Sequence, residues 1–419
     1  MLQEECKEKI LSEEYRDFMM RDTGALGKNF PLENGCRIPL KYGFELFYID
    51  QSEDRKKSLA DYPYTMVPKC YTTLDMAAIQ QAGIAAVQNI PGLELSGEGV
   101  LVGIIDTGIN YLDPIFRNLD GSTRIQRIWD QEEQSGTAPR EIGYGSEYTK
   151  EQINQAILSE NPKETVPSFD TDGHGTFVAS VACGGANPEN LFIGAAPEAE
   201  MVIVKLKEAK EYLREYYFVD RDAGCYQEND LVAAVFYLQK VQEELKRPLV
   251  ICLAVGTSFG GHGGYSILSE YLQNVAASEG IGIVTGSGNE ADKRHHYLGI
   301  LEQENNLPVE INVGNNTRGF VMELWTELPN LLALSIASPT GQTVGPISLK
   351  RGIGEYVFVF EQTRVIFNYR VLVETTGAQL AFFQFERPGS GIWKIIPETL
   401  ELGNGIFHIW LPMEEFLTG

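Results

Sequence analysis

The sequence is short of several features that mark large classes of protein. No apolar run approaches the roughly 20 residues that a membrane-spanning helix needs, so no membrane partner is expected. The amino-terminal stretch MLQEECKEKI is acidic and has no apolar core, so no signal peptide is visible and synthesis in the cytoplasm is expected. The six cysteines are scattered without a C-x-x-C pair, which predicts reduced thiols and argues against a metal site or a disulfide framework.

Positive charge is also scarce. Lys and Arg number 34 against 58 Asp and Glu, which gives a formal net charge of −24. Because this excess of negative charge would repel phosphate groups, nucleic acid is not expected as a partner. The rest of the composition, 43% hydrophobic and 22% charged, is ordinary for a globular protein, and 419 residues allow two or three domains. Nothing in the composition implies a cofactor.

Hydrophobic patterning divides the chain into three regions. Residues 1–80 combine an amphipathic helical pattern, KEKILSEEYRDFMM, with a strand pattern, CRIPLKYGFELFYID, which predicts a small α+β unit. Residues 81–304 carry short apolar runs such as GVLVGIID and AEMVIVKLK between helical stretches, and this alternation is typical of a doubly wound, mainly parallel α/β sheet. Residues 305–419 are short strand patterns separated by turn residues, which predicts an all-β sandwich.

Three polar residues lie at positions where such a sheet concentrates function. Asp106 ends GVLVGIID, His174 begins a helical pattern within DGHGTFVAS, and Asn289 follows GIVTGSG. Alone, Asp106 and Asn289 are typical turn residues, and His174 is compatible with an ordinary helix start. Together they suit acyl transfer, in which the acid orients the imidazole, the imidazole takes a proton from a nucleophile and the amide donates to an oxyanion.

These three motifs resemble those of the subtilisin-like serine proteases. IIDTGI (104–109) is similar to the Asp motif of that family, DGHGTFVAS (172–180) to its His motif and GSGNEAD (286–292) to its oxyanion-hole motif, in the same order along the chain. The resemblance implies a serine-type endopeptidase that acts on a protein or peptide substrate. It also implies that Ala254, Val255 and Gly256 form a wall of the substrate cleft.

Further stretches resemble one branch of the family, the clostridial germination-specific Csp-type proteases. They are GTSFGGHGGYS (256–266), GNEADKRHH (288–296) and the β-rich region that follows. This resemblance implies that residues 1–80 are a prodomain that acts as intramolecular chaperone and inhibitor, and that residues 305–419 are an inserted jelly roll. It further implies a spore-associated protein. We expect the prodomain to be cut between Ala78 and Gln88.

The serine nucleophile of the family is missing from the chain. It should lie in a Gly-Thr-Ser-x-Ala-x-Pro motif downstream of Asn289, at the start of a buried helix. Ser258 follows Gly-Thr but precedes Asn289 and continues into FGGHGG, which cannot start a helix. Ser335 lies in S-I-A-S-P, but the surrounding pattern predicts a strand. Neither serine is expected to act as the nucleophile.

Several interpretations remain open at the level of sequence. The favoured one is that the serine-bearing end of the protease core lies beyond residue 419, because Asp106, His174 and Asn289 are all intact. The alternative is a catalytically inactive pseudoprotease that regulates or binds a partner protease. A third interpretation rests on two D-T-G triplets, at Asp22 and Asp106, which are typical of aspartic proteases. The α/β pattern around Asp106 argues against that fold.

Overall fold

A computed structural model gives the structure of the chain. It describes residues 2–21, 35–54, 58–73, 84–88, 90, 95–187, 192–301, 308–347, 352–370, 372–373, 376–401 and 403–418. None of the helices in these ranges has the length and apolar character needed to cross a bilayer.

The amino-terminal unit is built on a small antiparallel sheet with strand order β1-β3-β2. Its sheet and helix pack against the central α/β sheet through a shared apolar cluster that includes Phe44, Leu46 and Leu231. The elements of this unit and of the segment that follows are α1 (Leu2–Leu11), β1 (Tyr15–Arg21), β2 (Cys36–Pro39), β3 (Phe44–Asp50), α2 (Gln51–Asp54), β4 (Cys70–Thr73) and α3 (Ile84–Gln88).

The long helix predicted for this unit is wrong in its second half. The helix predicted over KEKILSEEYRDFMM ends at Leu11, and Tyr15–Arg21 form a strand instead. The reason is tertiary, because β1 pairs with β3 over seven residues and buries four successive side chains, Asp17 to Met20.

The prediction of reduced thiols is wrong for two of the six cysteines. Cys6 and Cys36 form a disulfide bond, with their Cα atoms 5.4 Å apart. The helix α1 lies against β2, so that residues 30 positions apart in sequence meet. No sequence motif reveals this proximity, because it depends on how the helix packs on the sheet.

The predicted doubly wound sheet is confirmed. Its strand order is β12-β10-β5-β8-β6-β7, parallel except for β7. Alternate residues of β5 face opposite layers: Leu101 and Ile105 pack with α8, whereas Val102 and Ile104 pack with α6. The elements are β5 (Leu101–Asp106), β6 (Ile125–Asp130), β7 (Ser146–Thr149), α4 (Lys150–Ile157), α5 (Pro162–Thr165), α6 (His174–Cys183), β8 (Glu200–Lys205), α7 (Glu211–Tyr217), β9 (Tyr226–Gln227), α8 (Glu228–Leu245), β10 (Leu249–Leu253), β11 (Val255–Gly256), α9 (Ile267–Ala276) and β12 (Ile281–Thr285).

The carboxy-terminal part is a β-sandwich. A six-stranded antiparallel sheet, β13-β22-β15-β20-β19-β18, and a four-stranded one, β14-β21-β16-β17, share an apolar core that contains Trp393 and Phe383. The first strand, β13, precedes residue 305, where the sequence pattern changes. The strands are β13 (His296–Ile300), β14 (Val309–Val313), β15 (Gly319–Glu327), β16 (Leu331–Ala337), β17 (Thr343–Ile347), β18 (Ile353–Phe358), β19 (Thr363–Arg370), β20 (Ala378–Glu386), β21 (Gly391–Glu401) and β22 (Ile406–Trp410).

Buried charges tie the amino-terminal unit to the α/β sheet. The Lys210 ammonium lies 2.5 Å from Asp17 Oδ1, and the two side chains are only 2% and 0% exposed. The second carboxylate oxygen of Asp17 accepts hydrogen bonds from Gln227 and Asn229 at 2.6 and 3.2 Å. A buried carboxylate with this set of donors is stable only while β1 stays docked on the core, since undocking would break every contact.

A second buried carboxylate, Glu323 on β15, joins all three parts of the molecule. It accepts hydrogen bonds from Tyr64 Oη of the amino-terminal region at 2.5 Å, from the Gly260 amide after β11 at 2.9 Å and from Trp325 of the sandwich at 2.9 Å. Burial raises the pKa of Glu323, while the hydrogen bonds from Tyr64 and Trp325 lower it. The sandwich is therefore fixed to the loop after β11 and not merely tethered by the chain.

The docking of the amino-terminal unit predicts a large cost for Lys210→Met. The substitution leaves Asp17 buried without its counter-ion, and breaking a buried ion pair costs about 3–5 kcal/mol. We expect the free energy of unfolding, measured by urea denaturation, to fall by roughly that amount. Lys293→Met is the matched control, because Lys293 pairs with Glu414 on the exposed surface. Equal effects of the two substitutions would contradict this interpretation of the interface.

Candidate active site

Asp106 occupies the carboxyl end of the central strand β5 and is fully buried. Its Oδ1 accepts hydrogen bonds from the Thr107 amide at 2.7 Å and makes a 2.8 Å contact with Nδ1 of His174. Its Oδ2 is buried and accepts no hydrogen bond from the residues that the structure describes. One carboxylate oxygen is thus committed to holding the imidazole ring.

His174 is the first residue of α6, and its side chain is 15% exposed. Gly173 precedes it with φ of 98°, a left-handed conformation that turns the chain into the helix at no steric cost to glycine. Because Nδ1 faces Asp106, the ring carries its hydrogen on Nδ1 when neutral, and Nε2 is left as the basic nitrogen. This is the tautomer that a general base needs.

The Asp and His motifs meet through a close backbone approach at Gly175. A Cβ atom added to Gly175 would lie 2.3 Å from the carbonyl oxygen of Gly108 and 2.9 Å from its nitrogen. The Gly175 amide also donates to Thr107 Oγ1 at 2.8 Å. Only glycine allows the start of α6 to lie against the loop after β5, and this contact brings His174 to Asp106.

Asp170, which the sequence analysis did not single out, fastens the two motifs together. Its Oδ1 accepts from Thr107 Oγ1 at 2.9 Å and from the Gly173 amide at 2.8 Å. Its Oδ2 accepts from both the amide and the hydroxyl of Thr176, at 2.8 and 2.6 Å. The side chain is 5% exposed. An acid three residues before Gly173 in DTDGHGT is a signal of an Asx-type turn that could have revealed it.

The two carboxyl groups differ in their acidity for identifiable reasons. Burial raises the pKa of Asp106, although the hydrogen bond from His174 opposes that effect. Burial also acts to raise the pKa of Asp170, but the hydrogen bonds from Thr176 and Gly173 outweigh it and leave the pKa below its ordinary value. Asp170 therefore ionises more readily than an ordinary Asp side chain, whereas Asp106 ionises less readily and its charged form is favoured by His174.

Asn289 lies in the loop that follows β12 and is half-buried. The register of the parallel strands aligns Leu253 of β10 with both Ile105 of β5 and Thr285 of β12. The loops after β5, β10 and β12 therefore leave the sheet at the same edge. The structure thus brings Asp106 and Asn289 to one edge of the sheet, where His174 contacts Asp106.

The three predicted cleft residues border that edge, and a strand lies against them. Ala254 and Val255 are buried, and β11 pairs antiparallel with β4, with Val255 opposite Thr73 and Gly256 opposite Thr72. On its other side β4 pairs with β9, so β4 is the central strand of a three-stranded sheet. A strand of the amino-terminal region therefore lies alongside Val255 and Gly256.

A cavity of about 480 Å³ lies between the loop after β11 and the loop that carries Asn289. The sandwich supplies part of its lining through Trp410 and Met413. The indole ring of Trp410 is stacked between the imidazoles of His262 and His296, with ring centroids 3.6 and 3.7 Å apart. Sequence reasoning missed this stack, because the three residues meet only through tertiary packing.

The two serines considered in the sequence analysis differ in location. Ser258 lines the cavity just after β11 and is 7% exposed. Ser335 lies in β16 of the sandwich, where its hydroxyl donates to Glu398 at 3.3 Å, and the strand predicted there is confirmed. Among the residues that the structure describes, no group of three or more His, Cys, Asp or Glu side chains is arranged to hold a metal ion.

The fold and the site define a subtilisin-like α/β protein. A family model, Peptidase S8 or Subtilase family, matches residues 97–318, more than half of the chain. The chain therefore belongs to the subtilase family.

Individual relatives agree with this assignment. The structure of the CspB protease of Clostridium perfringens is similar to this chain with a TM-score of 0.68 and 29% identity, over 80% of this chain and 68% of that one. The subtilisin of Bacillus sp. (strain TA39) is 25% identical over 51% of this chain and 40% of its own length. Subtilisin-like protease SBT2.2 of Arabidopsis thaliana is 33% identical over 22% of this chain, which spans only 12% of the plant protein.

The role of Asp170 predicts a strong effect of Asp170→Asn. The amide group would turn a donor toward groups that are themselves donors, at Thr176 or at Thr107 and Gly173, and hydrogen bonds to charged groups contribute about 1.5–3 kcal/mol each. We expect the free energy of unfolding to fall by about 2–4 kcal/mol, and the NMR signals of the His174 imidazole to shift.

Asp222→Asn provides the control, since it makes the same change at an exposed position. It should leave both the unfolding transition and the His174 signals unchanged. An Asp170→Asn protein with the stability and His174 signals of the control would show that Asp170 does not hold the two motifs together.

Proposed function

We propose that the chain carries the acid, the base and the oxyanion donor of a serine-type endopeptidase. The observation that carries the proposal is the 2.8 Å contact between His174 Nδ1 and the buried Asp106 Oδ1. It is supported by membership of the subtilase family and by the alignment of the loop of Asn289 with that of Asp106. The substrate is a peptide bond of a protein or peptide.

Each residue has a distinct role in this proposal. Asp106 holds the ring of His174 and stabilises the imidazolium that forms when Nε2 accepts the proton of the serine hydroxyl. The same nitrogen returns the proton to the leaving amine. Asn289 donates a hydrogen bond to the oxyanion of the tetrahedral intermediate, and removal of one such donor typically lowers turnover about 100- to 1000-fold.

We propose that the nucleophilic serine comes from a segment outside these 419 residues. Two neighbouring sheet edges support this assignment, because both carry exposed apolar side chains. Val284 on β12 is 57% exposed, and Leu298 and Ile300 on β13 are 54% and 67% exposed. Apolar surface of this kind suits coverage by further protein.

We propose that residues 1–80 act as a prodomain whose last strand blocks the cleft. The pairing of β4 with β11 supports this role, since it gives β4 the backbone contacts that a bound peptide would make. The expected cut between Ala78 and Gln88 falls downstream of β4. Residues 78–83 lie outside the described residues, whereas Ile84–Gln88 form α3.

We propose a positioning role for the sandwich, which we assign as the inserted jelly roll. Two contacts support this positioning role. Glu323 accepts a hydrogen bond from the Gly260 amide, and Trp410 stacks on His262, so two sandwich residues hold the loop after β11. The sandwich therefore shapes the cleft without supplying a reacting group.

A spore-associated role is carried over from the resemblance to Csp-type proteases.

The proposal predicts that the 419-residue chain lacks peptidase activity and that a form extended through a Gly-Thr-Ser-x-Ala-x-Pro motif has it. Hydrolysis of a generic fluorogenic peptide, with and without a serine-directed phosphonate, measures the difference. Asn289→Ala in the extended form should lower turnover about 100- to 1000-fold. His174→Ala should abolish it.

Two outcomes would contradict parts of the proposal. Phosphonate labelling of Ser258 or Ser335 in an active 419-residue chain would place the nucleophile on the chain. An extended form that folds and is cut between Ala78 and Gln88, but neither hydrolyses peptide nor reacts with phosphonate, would instead support the regulatory pseudoprotease.

A further inference from the structure

Two free cysteines lie where the amino-terminal region meets the α/β core. Cys70 is the first residue of β4, and Cys225 directly precedes β9. Both thiols are free, and both residues are fully buried. Neither residue takes part in the Asp106–His174 site, so nothing in the proposed chemistry explains why two thiols lie at this interface.

The strand register brings the two thiols to the same face. β4 and β9 are antiparallel neighbours, with Cys70 opposite Gln227 and Tyr71 opposite Tyr226. Cys225 is two residues before Gln227, so its side chain points to the same face of the sheet as that of Cys70. Both side chains belong to one apolar cluster, and the Cys225 thiol is one of the groups that raise the pKa of the Cys70 thiol.

The backbone on the core side is held in place. The carbonyl of Cys225 accepts from the Ala209 amide at 2.7 Å, and its own amide donates to Glu208 at 3.3 Å. On the other side, Lys69 next to Cys70 donates from its backbone amide to the buried Glu228 at 3.2 Å. Cys70 on β4 and Cys225 just before β9 are therefore diagonal neighbours on one face of the sheet, and a disulfide needs a local movement that brings their sulfur atoms to about 2 Å.

We propose that Cys70 and Cys225 form a disulfide bond that fastens β4 to the core. The bond is a modification site in its own right, and only its effect on enzymatic activity rests on the proposed function. The oxidant is a small-molecule disulfide of the glutathione class. The thiolate of one cysteine attacks it and releases one thiol, and the second cysteine then attacks the mixed disulfide and releases another. Two protein thiols are oxidised and one small disulfide is reduced to two thiols.

The surroundings of Cys70 indicate when this exchange takes place. Burial is the main cause that raises the pKa of the Cys70 thiol, and contact with Cys225 adds to it, although the charge of Arg214 opposes the shift. The reactive thiolate is therefore rare once β4 is docked. The bond forms as β4 pairs with β9 during folding, when the thiols are near each other but still reach solvent.

The consequence concerns release of β4 from the cleft. A cut in the chain after Thr73 would ordinarily leave the amino-terminal unit bound only by non-covalent contacts. With the disulfide in place, β4 would stay covalently attached next to β11, and a reductant would be needed before it could leave. Cleavage of the chain would then depend on a protease, whereas release of β4 would depend on a reductant.

Oxidative refolding of the full chain tests the proposal. The reduced chain is refolded in a glutathione redox buffer, unfolded in urea in the presence of a maleimide that blocks every free thiol, and digested without reduction. The disulfide-linked peptides are then identified by mass. The pair Cys6–Cys36, which is already bonded in the structure, is an internal control for the oxidant. We expect a second linked pair, Cys70–Cys225, that disappears in Cys70→Ser and in Cys225→Ser but persists in Cys183→Ser.

A refolded chain that contains Cys6–Cys36 but leaves Cys70 and Cys225 blocked by maleimide would overturn the proposal. So would a sample in which Cys70 or Cys225 links mainly to another cysteine. Urea unfolding of the two serine variants in reducing buffer shows that each still folds. If a variant does not, the wild-type peptide map alone decides the result.

A second measurement tests the covalent attachment directly. A specific protease site is introduced between residues 74 and 83, and the oxidised chain is cut there. On a denaturing gel without reductant the two fragments should migrate together, and with reductant they should separate. Fragments of the Cys70→Ser version should separate in both gels. This readout needs no peptidase activity, so its outcome is independent of the proposed function.

Discussion

The site depends on one close backbone contact, between Gly108 at the end of the Asp motif and Gly175 at the start of α6. A side chain at residue 175 would collide with the Gly108 carbonyl at 2.3 Å, so the two motifs can meet only through a glycine. Asp170 then fixes the contact by accepting hydrogen bonds from both sides of it. With the backbones locked, His174 has little freedom except to face Asp106. The geometry of the Asp106–His174 pair therefore depends first on how the backbone packs at Gly108 and Gly175.

The same edge of the sheet organises the rest of the molecule. The amino-terminal region supplies β4, which pairs with β11, and the sandwich holds the loop after β11 through Glu323 and Trp410. Three parts of the chain that differ in architecture therefore meet at β11 and the loop that follows it. Their contacts include the buried carboxylate of Glu323, whose hydrogen bonds would be lost if these parts separated.

Much of this arrangement was predictable from sequence, and the reasons are physical. The continuous apolar runs of β5 and β8 reveal strands that are buried on both faces, and the turn residues after 305 reveal a β-rich unit. Asp106 and His174 were found because their motifs are local. The strand β1, the disulfide Cys6–Cys36 and the stack on Trp410 were not predicted, because each depends on partners far away in the sequence.

The central claim is that Asp106 holds His174 as the Nδ1–H tautomer, with Nε2 as the basic nitrogen of the ring. The most direct test is nitrogen-15 NMR of the chain with labelled histidine, which has only five imidazoles to assign. The account predicts a protonated Nδ1 and an unprotonated Nε2 for His174 at neutral pH, and loss of that preference in Asp106→Asn. An Nε2–H tautomer in the wild-type chain, or a His174 signal that Asp106→Asn leaves unchanged, would contradict it.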